Sequence, residues 1–143
     1  MATIQRSALV QYTVEQMFDL VNDIASYPEF MMGCDSAVVL EEDDDHLIGK
    51  LSLSRGGMSQ TFTTHNSLLR PETINMRMIE GNLSNFSARW VFLPLSDTAS
   101  KMSLHVTFEF RAGLVDMALE KLFSSSANDL VDSVVERAKL VYR

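Results

Sequence analysis

From Leu114 to Tyr142 the chain holds no proline and no glycine, and its apolar residues recur at helical spacing. Val115, Leu119, Phe123, Ala127, Leu130, Val134, Ala138 and Val141 fall on one face of such a helix. Lys121, Ser125, Asn128, Asp132, Glu136 and Lys139 fall on the other. Gly113 marks the entry. Asp116 and Glu120 come early and Arg137, Lys139 and Arg143 late, as the helix macrodipole prefers. At 1.5 Å per residue the helix would be about 45 Å long, so its apolar stripe needs a broad surface to cover it. Ser126 and Ala127 leave the middle of that stripe short of volume. A void at this point and a close approach of helix to sheet are both consistent with the pair.

The preceding residues supply the surface as strands. Thr3 to Tyr12 alternates and reads as the first. Thr13-Val14-Glu15-Gln16 then matches a capping box, and Met17, Phe18, Leu20, Val21 and Ile24 make a short amphipathic helix. It is expected to stop near Tyr27, because Pro28 disfavours helical geometry before it. Tyr27 to Met32 reads as a compact apolar turn or second short helix, ended by Gly33. Asp35 to Leu40 is a second strand.

The acids Glu41 to Asp45 repel one another and read as a solvated hairpin tip rather than a cation site of Asp43, Asp45 and His46. Gly56-Gly57 is a two-residue turn between Leu47–Arg55 and Met58–Leu68. Counting back from it pairs Leu51 with Phe62 on the buried face, and Lys50 with Thr63 in water. Three further strands set Ile74, Met76 and Met78, then Phe86, Ala88, Trp90 and Phe92, then Met102, Leu104, Val106, Phe108 and Phe110 in the inward phase.

Strands joined by short turns make an antiparallel meander with one apolar face, which only the terminal helix can cover. The expected fold is α+β and helix-grip. A curved antiparallel sheet of about seven strands wraps around the long C-terminal helix, with two short helices after the first strand. Residues 1–143 are expected to form one domain.

Composition narrows the function. No run approaches 18 apolar residues, which excludes a transmembrane helix, and the N-terminus alternates rather than forming a signal sequence. The lone Cys34 allows no internal disulfide and fits a reducing cytoplasm, the expected location. A net charge of −7 argues against a general nucleic-acid binder, DNA included. Nineteen acidic residues fall to fourteen once Glu41 to Asp45 are set aside, against twelve basic ones. The rest of the surface is therefore nearly neutral.

No catalytic constellation emerges. His46, His65 and His105 are scattered, and none is placed to activate Cys34. Glu109 points away from Phe108 and Phe110, and three histidines without helical spacing make no metal site. No cofactor is expected and no enzyme. What is abundant is an apolar concave face that nine methionines make adaptable. The candidate ligand-binding residues are Leu51, Phe62, Met76, Met78, Trp90 and Leu104 from the sheet, with Phe123, Ser126 and Ala127 from the helix. Tyr27, Pro28 and Phe30 are expected to form a lid at the cavity mouth.

Several stretches carry a resemblance: VEQMFDLVNDIASYPEFMMGC, FTTHN, RWVFLPL, FEF and RAKLVY. The chain resembles, from Ile4 to Tyr142, the ribosome-association toxin (RatA) family and the coenzyme Q-binding proteins. Both belong to the START-like superfamily of polyketide cyclases, dehydrases and lipid-transport proteins. Ser26-Tyr27-Pro28-x-Phe30 followed by Gly33-Cys34 is the most specific part. Met32, His65 and Asn82-Leu83 depart from the usual proline, arginine and Pro-Phe.

The resemblance implies a START/Bet v 1-like helix-grip fold and two activities. One is binding a polyprenyl quinone such as ubiquinone, or another lipid, in support of respiration, with transient membrane contact. The other is binding the large ribosomal subunit and blocking subunit joining, as in a toxin–antitoxin system. Its contacts with rRNA phosphate would fall to Lys50, Arg55, Arg70 and Arg77. A small aromatase/cyclase-type enzyme is the third reading. The chain is expected to be a monomer or a weak homodimer.

Overall fold

The computed structural model describes residues 2–81, 83–110 and 117–142. Asn82, Gly113, Leu114, Val115, Asp116 and Arg143 lie outside the described residues. The expected start of the long helix is among them.

The chain runs β1 (Ala2–Val10), α1 (Val14–Asn22), a 3-10 turn (Ile24–Glu29), β2 (Cys34–Glu42), β3 (His46–Arg55), β4 (Met58–Leu69), β5 (Thr73–Glu80), β6 (Leu83–Pro94), β7 (Ser100–Phe110) and α2 (Met117–Val141). The seven strands form one antiparallel sheet in the order β1-β7-β6-β5-β4-β3-β2. Each strand from β2 onward pairs with the next in sequence, as short connections demand. The helices cover the face of the sheet that carries Leu51, Ala88, Trp90, Leu104 and Phe108, all buried. This is the helix-grip fold.

Local chemistry sets the element ends. Thr13 Oγ1 accepts from the Gln16 backbone N–H at 3.1 Å, and Gln16 Oε1 accepts from the Thr13 N–H at 2.9 Å. That reciprocal cap contributes about 1 kcal/mol. The helix stops earlier than Pro28 requires, because Asp23 (φ −82°, ψ 67°) leaves helical geometry. The 3-10 turn then tolerates Pro28 inside it. Its Ile24 settles onto β3 at Gly49, where a side chain would collide with it.

Gly56 (φ +59°) and Gly57 (φ +85°) form the expected two-residue hairpin turn. The register pairs Leu51 with Phe62 and Lys50 with Thr63. Lys50 stands in water, but Thr63 is 4% exposed. A bulge shifts the pairing of β4 with β5 at Thr63, where strict alternation no longer decides which side chains are buried.

β2 is longer than expected and takes in Glu41 and Glu42, leaving Asp43 to Asp45 as the tip. Asp43 Oδ1 holds that tip by accepting from the N–H groups of Asp45 (2.7 Å) and His46 (2.9 Å).

The buried stripe of α2 is Leu119, Leu122, Phe123, Ser126, Val131, Val134 and Ala138. It is rotated slightly from the expected face. Val141 is 49% exposed, while Ala127 and Leu130 are only half-buried, at the flank of the stripe. The helix must serve α1 as well as the sheet: Tyr142 Oη donates to the Gln16 carbonyl at 2.8 Å, and Arg6 on β1 donates to the Asn128 carbonyl at 2.9 Å.

Candidate functional site

Between the concave face and α2 lies a cavity of about 90 Å³. Its size is of the order of the ~150 Å³ apolar cavities that take a benzene-sized guest. The sheet provides most of the wall: Leu51 and Leu53 on β3, Phe62 on β4, Met76 on β5, Trp90 on β6 and Leu104 on β7. Phe123, Ser126, Ala127 and Leu130 close it from α2, and Tyr27 closes it from the 3-10 turn. Phe123 is held by Phe62 and Phe108, at ring-centroid distances of 5.4 and 6.1 Å. Met76, Phe86, Ala127 and Leu130 are half-buried, so the wall is not sealed.

The structure thus brings Tyr27, Leu51, Phe62, Met76, Trp90, Leu104, Phe123, Ser126 and Ala127 together around one space. It leaves out Pro28, Phe30 and Met78. Met78 is drawn aside to Gly81, where its Sδ fills the space a side chain would need. Pro28 is exposed on the outer side of the 3-10 turn. Phe30 packs edge-on against Tyr27 at 5.5 Å and lies under Arg137, whose Cζ is 5.2 Å from the ring centroid. The expected lid is therefore a wall residue, Tyr27, buttressed from outside by Phe30. Tyr27 Oη donates to the Val21 carbonyl at 2.5 Å, and burial pushes the phenol well above its ordinary pKa.

Other wall residues were not anticipated. Val21, Asn22, Ile24 and Met31 come from the segment between β1 and β2. Thr64 and Asn66 follow Phe62 in the same inward phase of β4, so alternation alone would have found them. Both are buried, and Thr64 Oγ1 donates to Asn66 Oδ1 at 3.0 Å. Among the described residues no acidic, basic or histidine side chain lines the cavity.

The expected phosphate-contact residues do not act as one patch. Arg55 pairs with Asp129 of α2 at 2.8 Å. Arg70 pairs with Asp19 and stacks over Phe18 at 4.6 Å. Both bind helices to the sheet. Lys50 and Arg77 remain exposed on the convex face. There Arg77 is flanked by His65 and Ser87, and Arg89 by Asn75 and His105. From β4 to β1 these two rows of the sheet carry no carboxylate.

Cys34 is buried, its thiol pushed up to about 11 by burial and by the Asp35 charge. Its Sγ–H donates to the Ser36 carbonyl at 3.5 Å. A poised nucleophile has the opposite character. Among the described residues no cluster of His, Cys, Asp or Glu could hold a metal ion, and no helix is long and apolar enough to cross a membrane.

Comparison with known proteins gives three findings. The family described as Polyketide cyclase / dehydrase and lipid transport matches residues 10–135. The ribosome association toxin RatA of Vibrio cholerae serotype O1 is 39% identical over 142 residues, covering 99% of each chain. Among solved structures, the Zhui aromatase/cyclase from Streptomyces sp. R1128 superimposes with a TM-score of 0.87 at 19% identity, covering 99% of this chain and 96% of that one. A START superfamily protein from Mycobacterium smegmatis gives 0.80 at 15% identity, covering 97% and 98%. At those identities the solved structures speak for the fold alone.

Proposed function

We propose that this chain, which belongs to the Polyketide cyclase / dehydrase and lipid transport family, binds a hydrophobic ligand under α2 and performs no chemistry on it. The ligand is a polyprenyl quinone such as ubiquinone, or another neutral lipid, and the setting is the cytoplasm. The observation that carries this reading is the cavity itself: an apolar space walled by eight elements, in a fold whose family includes lipid transport. Burial of hydrocarbon supplies the driving force, about 25 cal/mol per Å². An enzymatic role is disfavoured because, among the described residues, the cavity offers neither a base nor an activated nucleophile.

Trp90, the chain's single tryptophan, forms part of the cavity wall and is 1% exposed. A quinone seated beside it should quench its fluorescence. Titration of delipidated protein with a short-chain ubiquinone should give saturable quenching at one equivalent. Quenching that merely rises linearly, as for free tryptophan, would contradict the reading.

A second reading, association with the large ribosomal subunit, is favoured by the likeness to RatA and by the acid-free convex rows that carry Arg77 and Arg89. Here the candidates are Lys50 and Arg77, since Arg55 and Arg70 are engaged elsewhere. Sucrose-gradient profiles with Lys50→Gln/Arg77→Gln test it. Wild type should lower the fraction of joined subunits, and the double variant should do so less, with a weaker salt dependence.

A further inference from the structure

Ser126 Oγ is buried and has no hydrogen-bond partner among the described residues, and the residue is 3% exposed. A serine inside a helix ordinarily satisfies itself on the carbonyl four residues back. Asn128, two positions on, does so through Ser124 at 3.0 Å. Ser126 does not, and it lines the cavity. Across the cavity wall Asn66 is 4% exposed, its Oδ1 already taken by Thr64. Asn22 Oδ1, at the end of α1, is a second buried polar atom in the same wall without a partner. An unsatisfied buried polar group costs free energy, and two in one apolar wall mark where something polar is meant to sit.

Resting on the cavity reading above, we infer that the ligand enters head-first. A neutral, oxygen-bearing head sits between Ser126 and Asn66, and its hydrocarbon tail leaves past the half-buried wall at Phe86, Ala127 and Leu130. The donors available, the Ser126 hydroxyl and the Asn66 amide, call for carbonyl, ether or hydroxyl oxygens on the head. Among the described residues no cation faces the cavity, so a carboxylate or phosphate head would be buried unpaired and is rejected. The volume agrees with this orientation. About 90 Å³ is of the order that a ring-sized group needs. A tail-first ligand would leave the Ser126 hydroxyl unsatisfied.

Three probes of one shape separate the outcomes at pH 7: 4-heptylacetophenone (neutral carbonyl), heptylbenzene (no head) and 4-heptylbenzoate (anion). Displacement of a solvatochromic dye, checked by Trp90 fluorescence, reads their affinities. The ketone should bind about tenfold tighter than heptylbenzene, and the benzoate weakest of the three. Ser126→Ala should cut ketone affinity roughly fivefold and leave heptylbenzene unchanged. It should melt no lower than wild type, since it removes an orphan hydroxyl. Asn66→Leu, a second variant, should act on the ketone in the same sense.

Equal binding of all three probes, or tightest binding of the benzoate, overturns the head-first site while leaving the cavity reading in place. If Ser126→Ala weakens heptylbenzene as much as the ketone, the serine is only structural and the assignment falls. Absence of binding by any probe overturns the inference together with the reading beneath it.

Discussion

Ile24 rests directly on Gly49: a methyl group added at Gly49 would lie 2.1 Å from Ile24 Cδ1 and 3.3 Å from Leu47 Cδ2. The missing side chain on β3 is what lets the 3-10 turn close one end of the cavity. Ile24 and Leu47 are 5% and 0% exposed, so relief has to come from Ile24 turning its side chain into the cavity that it lines. Gly49→Ala should therefore cost about 1–3 kcal/mol in urea unfolding. Shortening the colliding side chain in Gly49→Ala/Ile24→Val should recover part of the loss. An additive double variant would show that the contact does not set the cost.

Arg70 holds α1 to the sheet through Asp19 and the face of Phe18. The ion pair is about half exposed, so it is discounted for solvent screening. Arg70→Gln should lower stability by about 1 kcal/mol. Lys50→Gln and Arg77→Gln should stay within about 0.5 kcal/mol of wild type. Chemical denaturation of the three variants checks this, and equal losses would place Arg70 on the surface with the others.

The tip of the β2–β3 hairpin titrates. His46 bonds Glu41 at 3.0 Å and Asp43 at 2.8 Å, which raises the imidazole pKa, Glu41 first. A raised pKa stabilises the folded tip fully below the unfolded value near ~6.5. That contribution is lost as pH rises through the folded value. Asp43 is shifted the other way, chiefly by the Asp45 N–H. Its contribution is present above about 3.9 and lost as pH falls through the folded value. NMR titration of His46 should show its midpoint fall in Glu41→Gln. An unchanged midpoint would mean that this pair does not form in solution.

Cys34, with its thiol at about 11, should be nearly inert at neutral pH, with on the order of one thiolate in ten thousand. Modification by a maleimide should be at least about a hundredfold slower in the native protein than in urea. Equal rates would mean that the turn before β2 opens readily.

The architecture was legible because its signals are periodic. The Gly56-Gly57 turn placed Leu51 opposite Phe62, and Thr13 with Gln16 announced α1. The site was only partly legible, for reasons that differ by residue. Leu51, Phe62, Trp90 and Leu104 follow from strand alternation. Thr64 and Asn66 share that phase, but polar residues do not announce themselves on an apolar face. Phe30 suggests a lid from sequence because it stands beside Tyr27. Alternation says nothing about a 3-10 turn, where Tyr27 turns inward and Phe30 outward to Arg137. Arg55 and Arg70 looked like surface charges, since their partners Asp129 and Asp19 are distant in sequence.

The account rests on the space under α2 being a ligand site rather than a packing defect. Ala127, half-buried in its wall, is where the two diverge. The decisive measurement is organic extraction and mass spectrometry of purified wild type and Ala127→Trp, both first exposed to a mixed neutral-lipid extract, with melting temperatures alongside. The account predicts a neutral, oxygen-bearing lipid at about one equivalent on wild type. It predicts none on Ala127→Trp, which melts within a few degrees of wild type because the indole fills existing space. The opposite result would contradict the account: no lipid on wild type, and an Ala127→Trp protein destabilised by more than about 3 kcal/mol, as overpacking of a closed core would give.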